Sequence, residues 1–314
     1  PGTGDVQLTL SQKVNISGVV IVSTPQELAL IDAIKGINMF KKVNVPILGM
    51  IENMSYLKTK SNEIIDIFGK GSVKQAAIDN SINFLGEINC VHCDRKTKKS
   101  FNQGYCYPCF SRLAQCDSCI MSPEKCHYDA GTCREPERGE QNCMIDHFVY
   151  LANSSGVKVG ITRHSQIPTR WMDQGAIQAL PIFRVSTRLQ SGQVEVIFKN
   201  HVADKTSWQA MLKGVAADID LKARRLSLME ECQADIENLQ IQYGENAITA
   251  IDDAEQVEIR YPVLEFPTKV KSMNFDKTPL VEGTLMGIKG QYLILDTGVI
   301  NMRKFGGYQV EFAA

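Results

Sequence analysis

Three things are missing from this 314-residue chain. No apolar run approaches the roughly 20 residues that a membrane-spanning helix requires, so no membrane partner is expected. No export signal opens the chain, so its thiols are expected to be reduced, in the cytoplasm, and available to metal rather than tied in disulfides. No charge of either sign is in excess: 34 Lys and Arg stand against 35 Asp and Glu. That balance excludes a global attraction to nucleic acid and leaves only local patches to argue from. The chain also opens Pro1-Gly-Thr-Gly-Asp5 without an initiator methionine, as expected of a processed chain or a piece of a longer one.

What is present is cysteine, and it is concentrated. Nine of the ten cysteines lie between Cys90 and Cys143. The first four read Cys90-Val-His-Cys93 and Cys106-Tyr-Pro-Cys109, two Cys-x-x-Cys pairs separated by twelve residues. Each pair sits on a tight turn that aims two sulfurs at one point, and two such turns complete a tetrahedral zinc site. A second set follows, and Cys116, Cys119, Cys126 and Cys133 are expected to close a second site, with His127 or Cys143 as alternates. Two zinc ions are therefore expected. Between the first two pairs runs a basic loop, Arg95, Lys96, Lys98 and Lys99, with Phe101, Tyr105 and Tyr107 nearby. Contact with a DNA or RNA backbone and a solvated ribbon tip both fit this loop.

Ahead of the cysteines, Val19 to Ser23 reads as a buried strand and Gln26 to Val43 has apolar residues at helical spacing. Ile47 to Ile51 reads as a second strand, completing a βαβ unit. The strings PGTGDVQLTLSQ, VSTPQELALIDAIKGINMFKKVNVPILGMIENMSYL and IFGKGS…FLGEI, over residues 1–88, closely resemble the C-terminal half of the Mrp (ApbC-type) iron–sulfur carrier ATPases. The resemblance implies that Asp5 senses the γ-phosphate and that Asn53 lies near the adenine, with ATP bound only where a Gly-rich lysine loop stands upstream. Where that family has a cluster-binding Cys-Pro-x-Cys, this chain has Leu57-Lys-Thr-Lys60. As it stands, the segment is expected neither to hydrolyse ATP nor to carry a cluster.

After the cysteines, residues 146–214 read as two strands (Asp146 to Ala152, Val157 to Thr162), a helix (Thr169 to Ala179), a strand (Leu180 to Val185) and a helix (Thr187 to Val202). With its local sequence, this order resembles the GIY-YIG nuclease superfamily, in particular shortened members whose second motif reads Lys-Ile-Gly. The resemblance implies that Tyr150 is the first-motif tyrosine and that Val159-Gly160 match the second motif, with Lys158 at its usual tyrosine. Arg170 (or Arg163) becomes the helix arginine, and Glu195 the holder of Mg²⁺ or Mn²⁺. Such chemistry needs a carboxylate for the cation, an arginine for transition-state charge and a tyrosine beside the attacking water. The competing reading makes Tyr150 a core residue and Glu195 a solvated one.

Residues 215–255 read as a helical connector and 256–314 as a small β-rich domain. Residues 89–314 together resemble a family of bacterial proteins of uncharacterised function, through KSFNQGYCYPCF, GTCREP, VYLANSSG-VKVGITR and GIKGQYLI. Both resemblances stop near Ile88, the pattern of a chimeric reading frame. The expected fold is an α/β remnant (a partial P-loop parallel sheet), then a zinc ribbon over residues 89–145, an α+β GIY-YIG-like unit and a small β-rich domain. The expected function is zinc-dependent nucleic-acid binding, with a metal-dependent phosphodiesterase and an iron–sulfur assembly ATPase as alternatives. Oligomeric state is not legible.

Overall fold

The computed structural model describes residue 9 and residues 16–24, 27–52, 57–58, 64–65, 81–202, 207–214 and 216–313. Near the N-terminus, β1 (Val19–Ser23) runs parallel to β2 (Ile47–Glu52), and α1 (Glu27–Lys42) connects them. The helix turns Ala33 and Phe40 inward, where Met50, Val45 and Ile47 meet them. This is the βαβ unit that the apolar periodicity predicts. Asp5 and Asn53 lie outside the described residues.

The next strand changes the picture of the junction. β3 (Ser81–Asn89) pairs antiparallel with β10 (Leu280–Glu282) and β14 (Tyr308–Ala313), and at its end with β4 (Lys96–Thr97). A division at residue 88 therefore falls inside a strand that belongs to the sheet of the C-terminal region. The period-two pattern of SINFLGEI marks a strand but does not name its partners. Here the partners lie some 200 residues downstream, and Ile82 joins Phe275, Val281, Leu285, Ile300 and Phe305 in one apolar core.

The central sheet is antiparallel, with β5 (His147–Asn153) between β6 (Val157–Arg163) and β7 (Gln178–Val185). β8 (Ile248–Ala250) and β9 (Val257–Glu258) pair with the outer side of β7. Between β6 and β7, the helix predicted over Thr169 to Ala179 is only Thr169–Asp173. Gly175 takes a φ of +67° and ends the turn, and strand pairing begins by Gln178. The following helix, Arg188–Lys199, starts on a capping box in which Thr187 and Gln190 satisfy each other's backbone N–H groups.

The stretch predicted as a connector is part of the core. Helix Leu221–Tyr243 seats Leu221, Leu228, Cys232 and Ile236 against Val149, Leu180, Ile182 and Phe198. Its apolar spacing predicts the helix, while the surface that receives it is a tertiary matter. A three-stranded meander, β11 (Leu285–Lys289), β12 (Tyr292–Leu295) and β13 (Gly298–Asn301), completes the β-rich end. Its Lys289 is wholly buried and donates to the Gly214 carbonyl at 3.1 Å. The GIKGQYLIL segment thus packs inward at Lys289. Among the described residues, no helix is long and apolar enough to cross a membrane.

Two glycines carry close approaches. Gly160 faces Tyr150 across the hairpin, and a Cβ there would stand 2.7 Å from the tyrosine hydroxyl. Gly192 lets the helix Arg188–Lys199 lie against the backbone of Pro123 and Glu124, where a Cβ would sit 2.4 Å from the Glu124 nitrogen. Gly160→Ala is expected to displace the Tyr150 ring and to destabilise the chain by ~1–3 kcal/mol, the usual range for overpacking a dense core. Urea denaturation of the two proteins measures it, with a lower midpoint expected for the variant.

Candidate metal centre and basic cavity

The module between Cys90 and Cys143 holds little regular structure. The two-residue strand β4, helix Tyr107–Arg112, three short 3₁₀ turns and helix Pro136–Asn142 are all it has. Its first four cysteines converge. One sulfur of each of Cys90, Cys93, Cys106 and Cys109 lies within 4.8 Å of the others, and the Cys93 and Cys106 sulfurs are 3.7 Å apart. A tetrahedron with metal–sulfur bonds of ~2.3 Å has edges of ~3.8 Å, so the spacing fits a single tetrahedral ion.

Local geometry explains the convergence. Cys90 opens a turn in which Asp94 donates its N–H to the Cys90 carbonyl at 2.9 Å, with Asp94 at a φ of +55°. Cys106 and Cys109 flank the start of the short helix, with Pro108 in its first turn. Three of the four sulfurs are buried, and Cys93 is at the surface.

Electrostatics agrees with a cation site. Burial alone would raise the Cys90 thiol, but backbone N–H groups of Cys106, Cys93 and His92 outweigh it and lower Cys90 to about 6. Burial, together with the neighbouring sulfurs, pushes Cys109 up to about 12. Four sulfurs at this spacing make a donor set suited to a cation. The donor set fits zinc or an iron–sulfur group.

Cys116, expected in a second site, packs with Leu113 against Cys90, Cys106 and Cys109 and is not in the second group of donors. The second group of donors within 4.8 Å is instead Asp117, Cys119 and His127. Asp117 is a ligand-type residue that a search for cysteine and histidine passes over. Cys126, Cys133 and Cys143 line the same cavity as Cys119 and His127. The aromatic side chains near the basic loop engage one another: Phe101 lies 5.5 Å from Tyr107 and 5.6 Å from Phe110, ring centre to ring centre. Lys96 pairs with Glu87, and Lys99 lies over the Phe101 ring.

The cavity has a volume of about 980 Å³ and lies between the cysteine module, the central sheet and the β-rich end. Among the described residues, Arg138, Lys158, Arg163, Arg170, Arg188 and Arg303 line it, against one acidic residue, Asp173. In a chain of near-zero net charge, that is a local concentration of positive potential. Arg303 bonds Asp173 at 3.3 Å, Arg188 donates to the Ile120 carbonyl at 2.7 Å, and Arg163 contacts Asn142.

Of the residues singled out by the nuclease resemblance, Lys158, Arg163 and Arg170 line this cavity, whereas Tyr150 and Glu195 are not among its lining. Tyr150 is fully buried on β5 and donates its hydroxyl to Gln174 Oε1 at 3.0 Å. Burial raises it to about 12; nearby Arg170 opposes that shift and Glu195 adds to it. Lys158, also buried, is lowered to about 8 by burial and by Arg170, with Glu195 acting in the other direction. Tyr150, Lys158, Arg170 and Glu195 are therefore within electrostatic reach of one another. Glu195 pairs with Lys199 one helical turn on, at 3.3 Å. Sequence reasoning missed Arg188, whose guanidinium enters the cavity from the first turn of its helix.

These features define an α/β protein in which a βαβ segment is joined to a cysteine module that could hold a metal and to a region of antiparallel sheets. Residues 79–310, well over half of the chain, match the family described as protein of unknown function (DUF2797), and the chain belongs to that family. Residues 1–110 match the model of the NUBPL iron-transfer P-loop NTPase, so the two matches overlap across β3 and the first cysteines. The iron–sulfur cluster transfer protein NUBPL of Dictyostelium discoideum is 55% identical over 89 residues, covering 28% of this chain and 28% of that protein. The iron–sulfur cluster carrier protein of Escherichia coli (strain K12) is 48% identical over 89 residues, covering 28% of this chain and 24% of that protein. The chain thus spans about a quarter of the length of these curated relatives.

Removing one ligand of the four-cysteine group tests it. Cys106→Ser is expected to lose about one equivalent of bound metal, and acidification is expected to release the same metal as the thiolates take up protons. Metal analysis of the dialysed protein across a pH series measures both.

Proposed function

We propose that the chain binds the phosphodiester backbone of DNA or RNA in the basic cavity, with a zinc ion at Cys90, Cys93, Cys106 and Cys109 holding one wall in place. The observation that carries this reading is the lining itself, six basic side chains against Asp173. Guanidinium groups match phosphate oxygens in pairs, and Arg170, Arg188 and Arg163 approach from different elements, as a ligand with charge along its length requires. The hairpin with Tyr150 opposite Gly160, flanked by β7, supports a likeness to the GIY-YIG arrangement. A reduced, cytoplasmic setting goes with free thiols at this site.

Binding is expected to weaken as salt rises, and Arg170→Ala with Arg188→Ala is expected to lower the salt slope by about one per lost phosphate contact. Lys158, lowered to about 8, carries its charge below that pH and sheds it above. Affinity is therefore expected to fall between about pH 7 and pH 9, and Lys158→Met to flatten that fall. Fluorescence anisotropy with single- and double-stranded oligonucleotides reads both effects. Salt-independent or absent binding would sink the proposal.

A second reading, metal-dependent cleavage of the bound strand, is favoured by the clustering of Tyr150, Arg170 and Glu195. Glu195 would hold Mg²⁺ or Mn²⁺ in place of its Lys199 partner, and Arg170 would stabilise the transition-state charge. Glu195→Gln is then expected to abolish cleavage while leaving binding within a few-fold. Strand integrity on a gel, with either cation, decides it. For residues 1–79, the relatives' names point to iron–sulfur cluster carriage. ATP binding there depends on a Gly-rich lysine loop, and Pro1 to Asp79 contain none.

A further inference from the structure

The structure carries a second cluster of metal-type donors whose placement differs from the sequence spacing. Cys119, His127 and Asp117 bring one donor atom each within 4.8 Å of the others. His127 is oriented for the purpose. Its Nδ1 is engaged by Thr132 Oγ1 at 2.8 Å, and its Nε2 faces the Asp117 carboxylate at 3.3 Å. A hydrogen bond at one ring nitrogen that aims the other into a donor group is how histidine ligands are held.

Asp117 is already committed elsewhere. One oxygen accepts from Arg134 Nε at 2.9 Å, and the other accepts from the Ser118 backbone at 2.6 Å. These two bonds hold the carboxylate without the imidazole, so an ion at Nε2 replaces only the 3.3 Å contact between His127 and Asp117. Two more thiols face the same cavity. Cys126 precedes His127 in the chain, and Arg188 bridges the Cys143 carbonyl to the Ile120 carbonyl beside Cys119. All four residues line the cavity.

We infer that Cys119, Cys126, His127 and Cys143 bind a second zinc ion, in a three-sulfur, one-nitrogen site on the cavity wall. The donor set is the tetrahedral one that zinc prefers among divalent ions in a reducing setting. The site also ties metal to the basic lining. Arg188 receives support from both of its segments: its backbone N–H donates to the Cys143 carbonyl at 2.8 Å, and its guanidinium donates to the Ile120 carbonyl, next to Cys119, at 2.7 Å. Loss of the ion would free both carbonyls to move and take Arg188 out of register. That consequence rests on the binding function proposed above, whereas the ion itself does not.

The full chain, purified in reducing buffer, is analysed for zinc, iron and acid-labile sulfide, and its Co²⁺-substituted form for ligand-field absorption. About two equivalents of zinc are expected in the parent and about one in His127→Ala and in Cys143→Ser. Cys133→Ser is expected to keep both. The one ion that His127→Ala retains at the first four cysteines reports that the module still folds. The Co²⁺ difference spectrum between parent and His127→Ala should carry the signature of a three-sulfur, one-nitrogen site. Two equivalents retained by His127→Ala, one in the parent, or iron and sulfide lost with Cys133→Ser would each overturn the proposal. The last result would assign a four-thiolate iron–sulfur cluster instead. Oligonucleotide affinity is measured in parallel, and a several-fold loss in His127→Ala is expected. If the parent binds no oligonucleotide but holds two zinc ions, the binding function falls and the metal site stands.

Discussion

Four sulfurs held within bonding reach of one point are a constraint that the rest of this molecule has to satisfy. Thiolates at 3.7 Å repel unless a cation sits among them, and protonated thiols at that distance make only weak hydrogen bonds. The segment from Cys90 to Cys143 has only short helices, and its apolar contacts are few beyond Leu113, Tyr105 and Phe110 around the sulfurs. A metal would therefore replace the core that such a segment cannot build from side chains. One wall of the basic cavity is made from this segment, which contributes Arg138, while the other five basic residues come from the central region and the β-rich end.

The second organising contact is between parts of the chain far apart in sequence. β3 leads directly into Cys90, and it is clasped by Leu280–Glu282 on one side and Tyr308–Ala313 on the other. The cysteine module is thereby tethered at its start to the β-rich end. At its other end it runs into β5, and Gly192 lets Pro123 and Glu124 press against the helix behind the central sheet. The matched span of the DUF2797 family begins at residue 79, just ahead of β3, which agrees with that strand being part of the C-terminal architecture.

Much of this was legible beforehand, for stated reasons. Strands β1, β5 and β6 and helix α1 follow apolar periodicity, and their observed bounds differ from the expected ones by a residue or so. The four-cysteine group was legible because the turn geometry of Cys-x-x-Cys is local. Tyr150, Lys158, Arg170 and Glu195 follow from resemblance, and both Tyr150 and Lys158 feel the charges of Arg170 and Glu195. The overlong helix after Thr169 was misjudged because Gly175 and the pairing of Gln178 with Asn153 override helical propensity. The packing of Cys116 beside the first four cysteines is not legible, because spacing does not say on which side of a 3₁₀ turn a sulfur ends up.

By itself, the sequence determined what is local: which segments alternate or wind, which thiols share a turn, and that overall charge is balanced. Tertiary structure alone decided what depends on distant pairing. It assigned residues 81–89 to the C-terminal sheet, buried the supposed connector in the central core, and gathered Arg138, Arg163, Arg170, Arg188 and Arg303 around one cavity. The reason is that hydrophobic pattern specifies that a face will be covered, whereas the identity of the covering surface is set by the packing of the whole chain.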